Sequence, residues 1–146
     1  MKVEVKLDPN YTETKIEIYT SEINEEISNL IKQLEFKSDD KVIAWKEGKI
    51  YILELKQIEA IYSNQGKVYI RVNNMEYISK SKLYEIEEQI KEPSFIRISN
   101  SEIINFNKVE SLDSSITGTI KINFKSGYIT YASRRNIKKI KEYLKI

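Results

Sequence analysis

The chain has 146 residues, of which 40% are hydrophobic and 10% aromatic, enough for a compact domain with a buried core. It contains neither cysteine nor histidine, which excludes disulfides and thiolate chemistry and removes the commonest general base and metal ligand. No stretch is long and apolar enough to cross a membrane, and the first residues lack an apolar signal-peptide core, so we expect a cytoplasmic protein.

The net charge of +2 conceals an uneven distribution along the chain. Residues 1–40 hold five lysines against ten acidic residues, whereas residues 41–146 hold nineteen basic and twelve acidic residues. Within the second part, residues 121–146 hold eight basic residues and one acid. Positive charge concentrated in one segment is typical of proteins that bind a polyanion. Nucleic acid is the leading candidate, ahead of an anionic membrane surface.

Residues 1–37 are predicted to form a β-β-α segment of acidic character. The stretches Lys2–Leu7 and Lys15–Tyr19 alternate apolar and polar residues, as strands with one buried face do. Ser21 is placed to cap a following helix, whose apolar residues recur with the helical period. This stripe consists of Ile23, Ile27, Leu30, Ile31 and Leu34. We interpret it as a packing surface rather than a ligand site, and Ser38–Asp40 as a short linker.

Residues 41–146 are predicted to form short antiparallel strands separated by turns. Three turn sequences flanked by strand-like runs indicate hairpins: EG at 47–48, SNQGK at 63–67 and NN at 73–74. A short helix is expected after Ser81, which can serve as its cap. The predicted strands are Val42–Trp45, Ile50–Leu55, Ile58–Tyr62, Val68–Val72, Met75–Ile78, Phe95–Ile98, Ile103–Ile104, Val109–Leu112, Thr119–Phe124 and Tyr128–Ala132.

The C-terminal stretch from Ser126 to Ile146 is predicted to be a strand followed by a basic amphipathic helix. Ser133 is placed to cap this helix, and Ile137, Ile140 and Leu144 fall on one face of it. A helix N-terminus with paired arginines offers free amide donors and positive charge to a phosphate group. As an alternative, the helix is an amphipathic element with a solvated basic face.

The acidic residues give no sign of catalysis. Most lie at solvent-facing positions of predicted helices, and no pair is flanked by apolar residues that would shift a pKa. The sequence has no Gly-rich phosphate loop, no G-x-S-x-G and no zinc-ligand pattern. We therefore expect no enzymatic activity, cofactor, metal ion or small-molecule substrate.

Three polar positions are candidates for contact with nucleic acid. Asn100 follows a strand-like run, and asparagine can pair with an adenine edge through two hydrogen bonds. Arg135 can pair with guanine in the same way, and the turn around Gly66 carries neighbouring polar side chains. Each position has an alternative: a left-handed turn asparagine at 100, a solvated helix arginine at 135, and a plain hairpin connection at 63–67.

Two stretches of the sequence resemble the LytTR DNA-binding domain of bacterial transcription regulators. In PSFIRISNSEIINFNKVESL, an aromatic residue, an arginine, a serine and a hydrophobic pair with asparagine follow the order typical of the family. The matching residues are Phe95, Arg97, Ser101, Ile103, Ile104 and Asn105. In the second stretch, a strand runs into Ser-x-Arg and a basic helix, matched by residues 133–138. The resemblance covers about residues 41–146 and indicates a regulator without a phosphoacceptor receiver domain.

The resemblance implies a mainly β (α+β) fold of elongated antiparallel sheets with short helices, to which this chain adds the N-terminal β-β-α segment. It also implies that loops, rather than a recognition helix, read successive major grooves of double-stranded DNA. Carried over to this chain, base contacts fall on Gly66, Lys67, Asn100 and Arg135. Phosphate contacts fall on Asn64, Gln65, Ser99, Ser101, Ser133, Arg134, Asn136, Lys138 and Lys139. This chain departs from the pattern at Gly66 or Lys67, where the family often offers His or Lys, and at Ser99, where many members have His.

Operators of the family are typically paired direct repeats, so the resemblance implies a homodimer or two cooperating monomers. Residues 1–37 are then a natural surface for a second copy or for another partner, and single-domain relatives suggest control by a membrane protein. The rival interpretation is a protein-interaction module. In that case the helix at residues 23–34 docks a partner through its apolar stripe, and the basic end does not read DNA.

Overall fold

The computed structural model describes residues 1–35, 40–114 and 118–146. The chain divides into two compact units, Met1–Lys37 and Ser38–Ile146. Ser38 and Asp39 of the predicted linker lie outside the described residues. No helix in the described ranges is long and apolar enough to span a lipid bilayer.

The first unit contains one helix among its described residues. Helix α1 spans Glu25–Glu35 and begins after Asn24, whose side-chain oxygen accepts a hydrogen bond from the Ile27 amide at 3.0 Å. The predicted cap at Ser21 is therefore wrong, because the chain turns helical only after residue 24. Ile23, assigned to the apolar stripe, precedes the helix and is exposed.

The two strands predicted at Lys2–Leu7 and Lys15–Tyr19 are absent from the structure. A strand requires a neighbour that takes up its amide and carbonyl groups, and neither stretch has such a neighbour within the described residues. Val3, Val5 and Leu7 are consequently 78%, 82% and 93% exposed. Alternation indicates that a segment can pair, but not that a partner is present.

The second unit is built from strands and two helices. The strands are β1 (Lys41–Lys46), β2 (Lys49–Glu54), β3 (Ala60–Asn64), β4 (Lys67–Val72), β5 (Met75–Ser79), β6 (Phe95–Ser99), β7 (Glu102–Asn105), β8 (Val109–Ser114), β9 (Ile120–Phe124) and β10 (Ile129–Ala132). The helices are α2 (Leu83–Gln89) and α3 (Ile137–Leu144), and 3-10 turns lie at Leu55–Gln57, Phe106–Lys108 and Arg134–Asn136. The predicted mainly β fold of residues 41–146 is confirmed.

These strands form two antiparallel sheets. The larger has the order β2-β1-β5-β4-β3-β7-β6, and the smaller has the order β10-β9-β8. The predicted hairpins at 47–48 and 73–74 are confirmed. The hairpin at 63–67 is present, but its predicted five-residue connection is wrong, because Ser63, Asn64 and Lys67 pair within β3 and β4 and leave a two-residue turn. Both central residues of each of the three turns have positive φ. In the β3–β4 turn, φ is 50° at Gln65 and 78° at Gly66. This conformation suits a two-residue hairpin because its twist matches that of the strands.

Alternation along the central strands sends adjacent side chains to opposite faces of the larger sheet, and each face has its own core. Ile61 and Ile103 face a first core that Leu83 of α2 helps to close. Ala60 and Ile104, one residue away in each strand, belong to a second core. The second core also contains Ile122 and Phe124 of β9, Ala132 of β10 and Ile140 of α3. The smaller sheet and α3 therefore pack on the face opposite α2.

Both helices of the second unit begin differently from the prediction. The backbone of α2 is capped at Lys82, whose amide donates to the Glu85 carboxylate at 3.1 Å, and not at Ser81. At the C-terminal end, Ser133 precedes a 3-10 turn, and α3 begins only at Ile137. Sequence spacing locates a helix start only to within about a turn, because several nearby residues can satisfy the same backbone groups.

Asn105→Ala tests the buried hydrogen bonds at the end of β7. The side-chain nitrogen of Asn105 donates to the Ile58 carbonyl at 3.0 Å, and the side-chain oxygen of Asn105 accepts from the backbone amide of Asn107 at 3.0 Å. We expect the substitution to lower the free energy of unfolding by about 1–3 kcal/mol, because both backbone groups lose a partner. Chemical denaturation measures the change. Asn107→Ala, at an exposed position, is the control, and an equal loss there would contradict the expectation.

Candidate nucleic-acid interface

Three polar segments lie together at one end of the second unit, which we term the turn edge. The first is residues 64–67 between β3 and β4, the second is residues 99–101 between β6 and β7, and the third is residues 133–136 after β10. Strand β3 pairs antiparallel with β7, with Tyr62 opposite Glu102. The Ser63 amide donates to the Ser101 carbonyl at 2.8 Å. The first two segments are therefore neighbours.

The third segment lies beside the second. The Ser133 amide donates to the carbonyl of Ile98 at 2.9 Å, and Ile98 is the residue directly before the β6–β7 turn segment. The four strands β4, β3, β7 and β6 are consecutive in the sheet, so they span roughly 15 Å at the usual strand spacing of about 4.8 Å. The structure thus brings the sequence-predicted residues of all three segments to one edge.

Asn100 presents its side chain to solvent from an ordinary backbone conformation. Its φ is not positive, so the alternative interpretation as a left-handed turn asparagine is wrong. The Asn100 carbonyl accepts a hydrogen bond from Arg97 Nη2 at 2.5 Å, whereas its side-chain amide has no hydrogen-bond partner within the described residues. The amide is therefore held in place through the backbone and is available to a ligand.

Arg97 is the anchor of this turn, a role that the sequence motif did not reveal. Its Nε donates to the Ser99 carbonyl at 2.8 Å, and its Nη1 donates to the Glu87 carboxylate at 2.7 Å. One guanidinium thus ties two carbonyls of the β6–β7 turn to helix α2. Arginine suits this task because its planar group offers five donors in fixed directions.

The two serines of the turn differ in their accessibility. Ser99 is half-buried, and its hydroxyl oxygen accepts from the Ser101 amide at 3.2 Å. Ser101 is exposed, and its hydroxyl lies 3.4 Å from that of Ser99. Ser99 therefore closes the turn, and Ser101 is the hydroxyl that points outward from it.

The β3–β4 turn offers exposed polar side chains from Asn64, Gln65 and Lys67. Gly66 has no side chain, and its φ of 78° accounts for a glycine at this position. Any base contact assigned to Gly66 would have to come from its backbone. Lys67 is the residue of this turn that carries a positive charge.

The segment after β10 carries two arginines in different settings. Arg135 is exposed and forms no hydrogen bond or ion pair within the described residues. Arg134 packs its guanidinium beside Gly118, where an added Cβ would lie 3.2 Å from Arg134 Nε. Both arginines belong to the 3-10 turn that precedes α3, and not to the first turn of that helix.

Asn136 supports this segment from inside. It is only 8% exposed, and its side-chain nitrogen donates to the Ser133 hydroxyl at 2.8 Å. The predicted phosphate contact through the Asn136 side chain does not fit this geometry, because the side chain is turned inward to orient Ser133. Lys138 and Lys139 are exposed on α3, and Lys138 Nζ lies 4.0 Å from the Glu142 carboxylate.

A buried carboxylate lies directly behind the turn edge, whereas most acidic residues were expected at solvent-facing positions of helices. Glu102 is 8% exposed and accepts hydrogen bonds from the Tyr128 hydroxyl at 2.8 Å and the Thr130 hydroxyl at 2.5 Å. The Arg71 guanidinium lies 4.3 Å from the centre of the Tyr128 ring. The sequence signal was the position of this glutamate next to the predicted strand Ile103–Ile104.

Burial raises the pKa of the Glu102 carboxyl, because the charged form loses hydration. The hydrogen bonds from Thr130 and Tyr128 and the charge of Arg71 oppose this shift without reversing it. Burial and the Glu102 carboxylate together raise the pKa of the Tyr128 hydroxyl. The free energy of this cluster therefore depends on whether the Glu102 carboxyl is protonated.

Comparisons with known proteins yield three kinds of likeness. The family described as the LytTr DNA-binding domain matches residues 48–145. A protein of Staphylococcus aureus strain NCTC 8325, named as an HTH-type transcriptional regulator, is 30% identical over 147 residues, covering 100% of this chain and 99% of that protein. A protein of the same kind of name in strain MSSA476 is 29% identical over 147 residues, with the same coverage of both chains.

A solved structure shares the fold of the second unit. It is the LytTr DNA-binding domain of a methyl-accepting/DNA response regulator from Bacillus cereus. The two structures superpose with a TM-score of 0.69 at 18% sequence identity, over 73% of this chain and 98% of that chain.

Glu102→Gln tests the buried carboxyl through the pH dependence of stability. The raised pKa means that the folded protein binds this proton more tightly than the unfolded chain, whose carboxyl has the ordinary pKa of 4.5. The stability of the wild type relative to Glu102→Gln should therefore fall as the pH rises from 4.5 towards neutral. Chemical denaturation at a series of pH values measures this difference. The exposed Glu110→Gln is the matched control, and an equal pH-dependent difference there would contradict the expectation.

Proposed function

The chain belongs to the LytTR family of DNA-binding domains, and on this premise we propose that it binds double-stranded DNA sequence-specifically and regulates transcription in the cytoplasm of a bacterium. The observation that carries the proposal is the turn edge. There Asn100 and Arg135, two side chains able to pair with base edges, lie exposed on adjacent segments of one edge, and neither side chain has a hydrogen-bond partner among the described residues.

We assign the base contacts to Asn100, Arg135 and the β3–β4 turn, with Lys67 as the contributing side chain and Gly66 as a backbone contact. Phosphate contacts are assigned to exposed or half-buried polar and basic residues around these readers, because such contacts position a protein on DNA without reading sequence. They are Asn64, Gln65, Ser99, Ser101, Ser133, Arg134, Lys138 and Lys139. Asn136 acts on DNA indirectly, by holding the Ser133 hydroxyl.

Loops, and not a recognition helix, deliver these side chains in our proposal. The staphylococcal relatives carry the name HTH-type, yet in the described part of this chain strands separate each helix from the next. The four strands that carry the first two segments of the turn edge span roughly 15 Å, whereas a major groove is about 12 Å wide. The outer segments of the edge therefore meet the DNA backbone or the next groove when the middle segment occupies one groove.

Electrostatics supports the same assignment. Residues 121–146 carry eight basic residues and one acid, and they include the segment that contributes Arg135 to the turn edge. Cationic side chains near phosphates release counterions, which provides sequence-independent affinity and makes binding weaken with salt. We assign no catalytic step, cofactor or metal ion to this chain.

We assign residues 1–37 to contact with a second copy of the chain, so that two second units occupy a pair of direct repeats. Val3, Val5 and Leu7 alternate as a strand does and are exposed, which favours pairing with another polypeptide. The same observation favours the second candidate function, a protein-interaction module, in which these residues bind a different protein such as a membrane-bound regulator.

Arg135→Ala and Lys138→Ala should separate the reading of bases from the binding of phosphates. We expect Arg135→Ala to cost about 1–3 kcal/mol on a specific site and much less on random DNA, because its loss removes a base contact. Lys138→Ala should weaken binding to the specific site and to random DNA by the same factor. It should also make the slope of log affinity against log salt concentration shallower by about 0.9. Fluorescence anisotropy on a duplex selected from a random pool, and on its scrambled control, measures both effects. Equal behaviour of the two variants would contradict the division of roles.

Removing residues 1–37 tests the proposed contact between two copies of the chain. We expect the intact chain to be a dimer that binds paired repeats cooperatively, and the shortened chain to be a monomer that binds each repeat independently. Light scattering and titration of one-repeat and two-repeat duplexes measure these properties. Val5→Lys in the intact chain is a milder variant that should act in the same direction, because a charge at the proposed contact opposes association. An intact chain that is monomeric on and off DNA would instead favour a different protein partner.

A further inference from the structure

The position of Glu102 connects two parts of the turn edge that come from different sheets. Glu102 is the first residue of β7, two positions after Asn100, and belongs to the larger sheet. One hydrogen-bond donor to Glu102 is Thr130, which lies in β10 of the smaller sheet. The other is Tyr128, which directly precedes that strand. Arg135 is the third residue after the end of β10. The Glu102 carboxylate therefore bridges the chain segments that deliver the two proposed base readers.

Both carboxylate oxygens take part in this bridge. Oε2 accepts from the Tyr128 hydroxyl at 2.8 Å, and Oε1 accepts from the Thr130 hydroxyl at 2.5 Å. Two hydrogen bonds to one rigid planar group fix an orientation as well as a distance, because each oxygen has its own preferred directions of approach. A single bond would leave the turn free to rotate about it.

The surroundings of the bridge restrict it further. Glu102 lies opposite Tyr62 in the β3–β7 pairing, and the Tyr62 hydroxyl donates to Glu76. The Arg71 guanidinium packs over the Tyr128 ring and also lies 3.5 Å from the Glu59 carboxylate, which is 2% exposed. Charged and phenolic groups from β3, β4 and β5 thus enclose the bridge on the side of the larger sheet.

An apolar residue could fill the position of Glu102 but could not replace this function. Burial of a carboxylate costs free energy, as the raised pKa of Glu102 indicates. An apolar side chain would avoid that cost and would leave the hydroxyls of Tyr128 and Thr130 without their acceptor. The carboxylate therefore supplies two acceptors that an apolar residue cannot supply, and these acceptors fix the position of β10 relative to β7.

We propose that Glu102 is a positioning residue that sets the distance and orientation between Asn100 and Arg135, and thereby determines sequence discrimination without contacting DNA. This inference rests on the proposed function, because it concerns the placement of the two base readers. The part of the phosphate affinity that comes from Lys138 and Lys139 should not depend on the bridge, because these exposed cations lie on α3 and form no hydrogen bond or ion pair with Glu102 among the described residues.

The test uses the full chain with Glu102→Ala, Glu102→Gln and the double variant Tyr128→Phe with Thr130→Val. Glutamine retains one acceptor oxygen, so it should preserve part of the bridge. Alanine removes both acceptor oxygens, and the double variant removes both donor hydroxyls. Tyr131→Phe is the matched control, because it removes a tyrosine hydroxyl from an exposed position of the same strand. Each variant is measured on a duplex selected by the wild type and on a scrambled duplex, and its folding is checked by thermal unfolding.

We expect Glu102→Ala and the double variant to lower the ratio of specific to scrambled affinity by about tenfold, within the range set by one base contact. Scrambled affinity should change by less than about twofold. Glu102→Gln should retain most of the ratio, and Tyr131→Phe should retain all of it. In an Asn100→Ala background, Glu102→Ala should cause little further loss, because one of the two readers that it positions is already gone.

The proposal is overturned if a folded Glu102→Ala or double variant keeps the wild-type ratio, or if specific and scrambled affinity fall together. Should Glu102→Ala fail to fold, the double variant decides in the same way. Failure of the proposed function has a different signature. In that case the wild type itself shows no preference for any selected duplex, and the positioning role fails with it.

Discussion

The antiparallel pairing of β3 with β7 is the interaction on which the rest of the second unit depends. It joins residues about forty positions apart, with Ala60 opposite Ile104 and Ile61 opposite Ile103, and so links the first five strands to the remainder of the domain. Without it the larger sheet would separate between those strands, and neither core would be continuous. The same register places the β3–β4 turn beside the β6–β7 turn, so the fold and the proposed interface share one cause.

Strand positions in the second unit were accessible from the sequence because they depend on local patterns. Period-two alternation and turn pairs such as Gln65-Gly66 are properties of a few consecutive residues, and the structure follows them closely. The same reasoning failed at Lys2–Leu7, where the pattern is equally regular but no described strand lies alongside. Strand pairing depends on two segments, and the pattern of one segment does not show whether a partner strand is present.

The same difference between local and tertiary information applies to the residues of the candidate interface. The proposed base readers Asn100 and Arg135 could be nominated from residue chemistry and family resemblance, and the structure brings their segments together. Residues that orient them could not be nominated in this way. Arg97 donates hydrogen bonds to the carbonyls of Ser99 and Asn100, and the Asn136 side chain donates to the Ser133 hydroxyl. These contacts involve backbone groups and buried side chains. Such roles follow from tertiary packing, which leaves little trace in spacing or composition.

The ordinary backbone conformation of Asn100 has an evolutionary consequence. Since its φ is not positive and its carbonyl is held by Arg97, most other side chains can occupy position 100 without strain in the chain. If Asn100 reads a base as proposed, mutation at this position changes the operator preference while the scaffold stays the same. Duplicated copies of such a regulator could therefore diverge in the genes they govern through single substitutions, each neutral for folding.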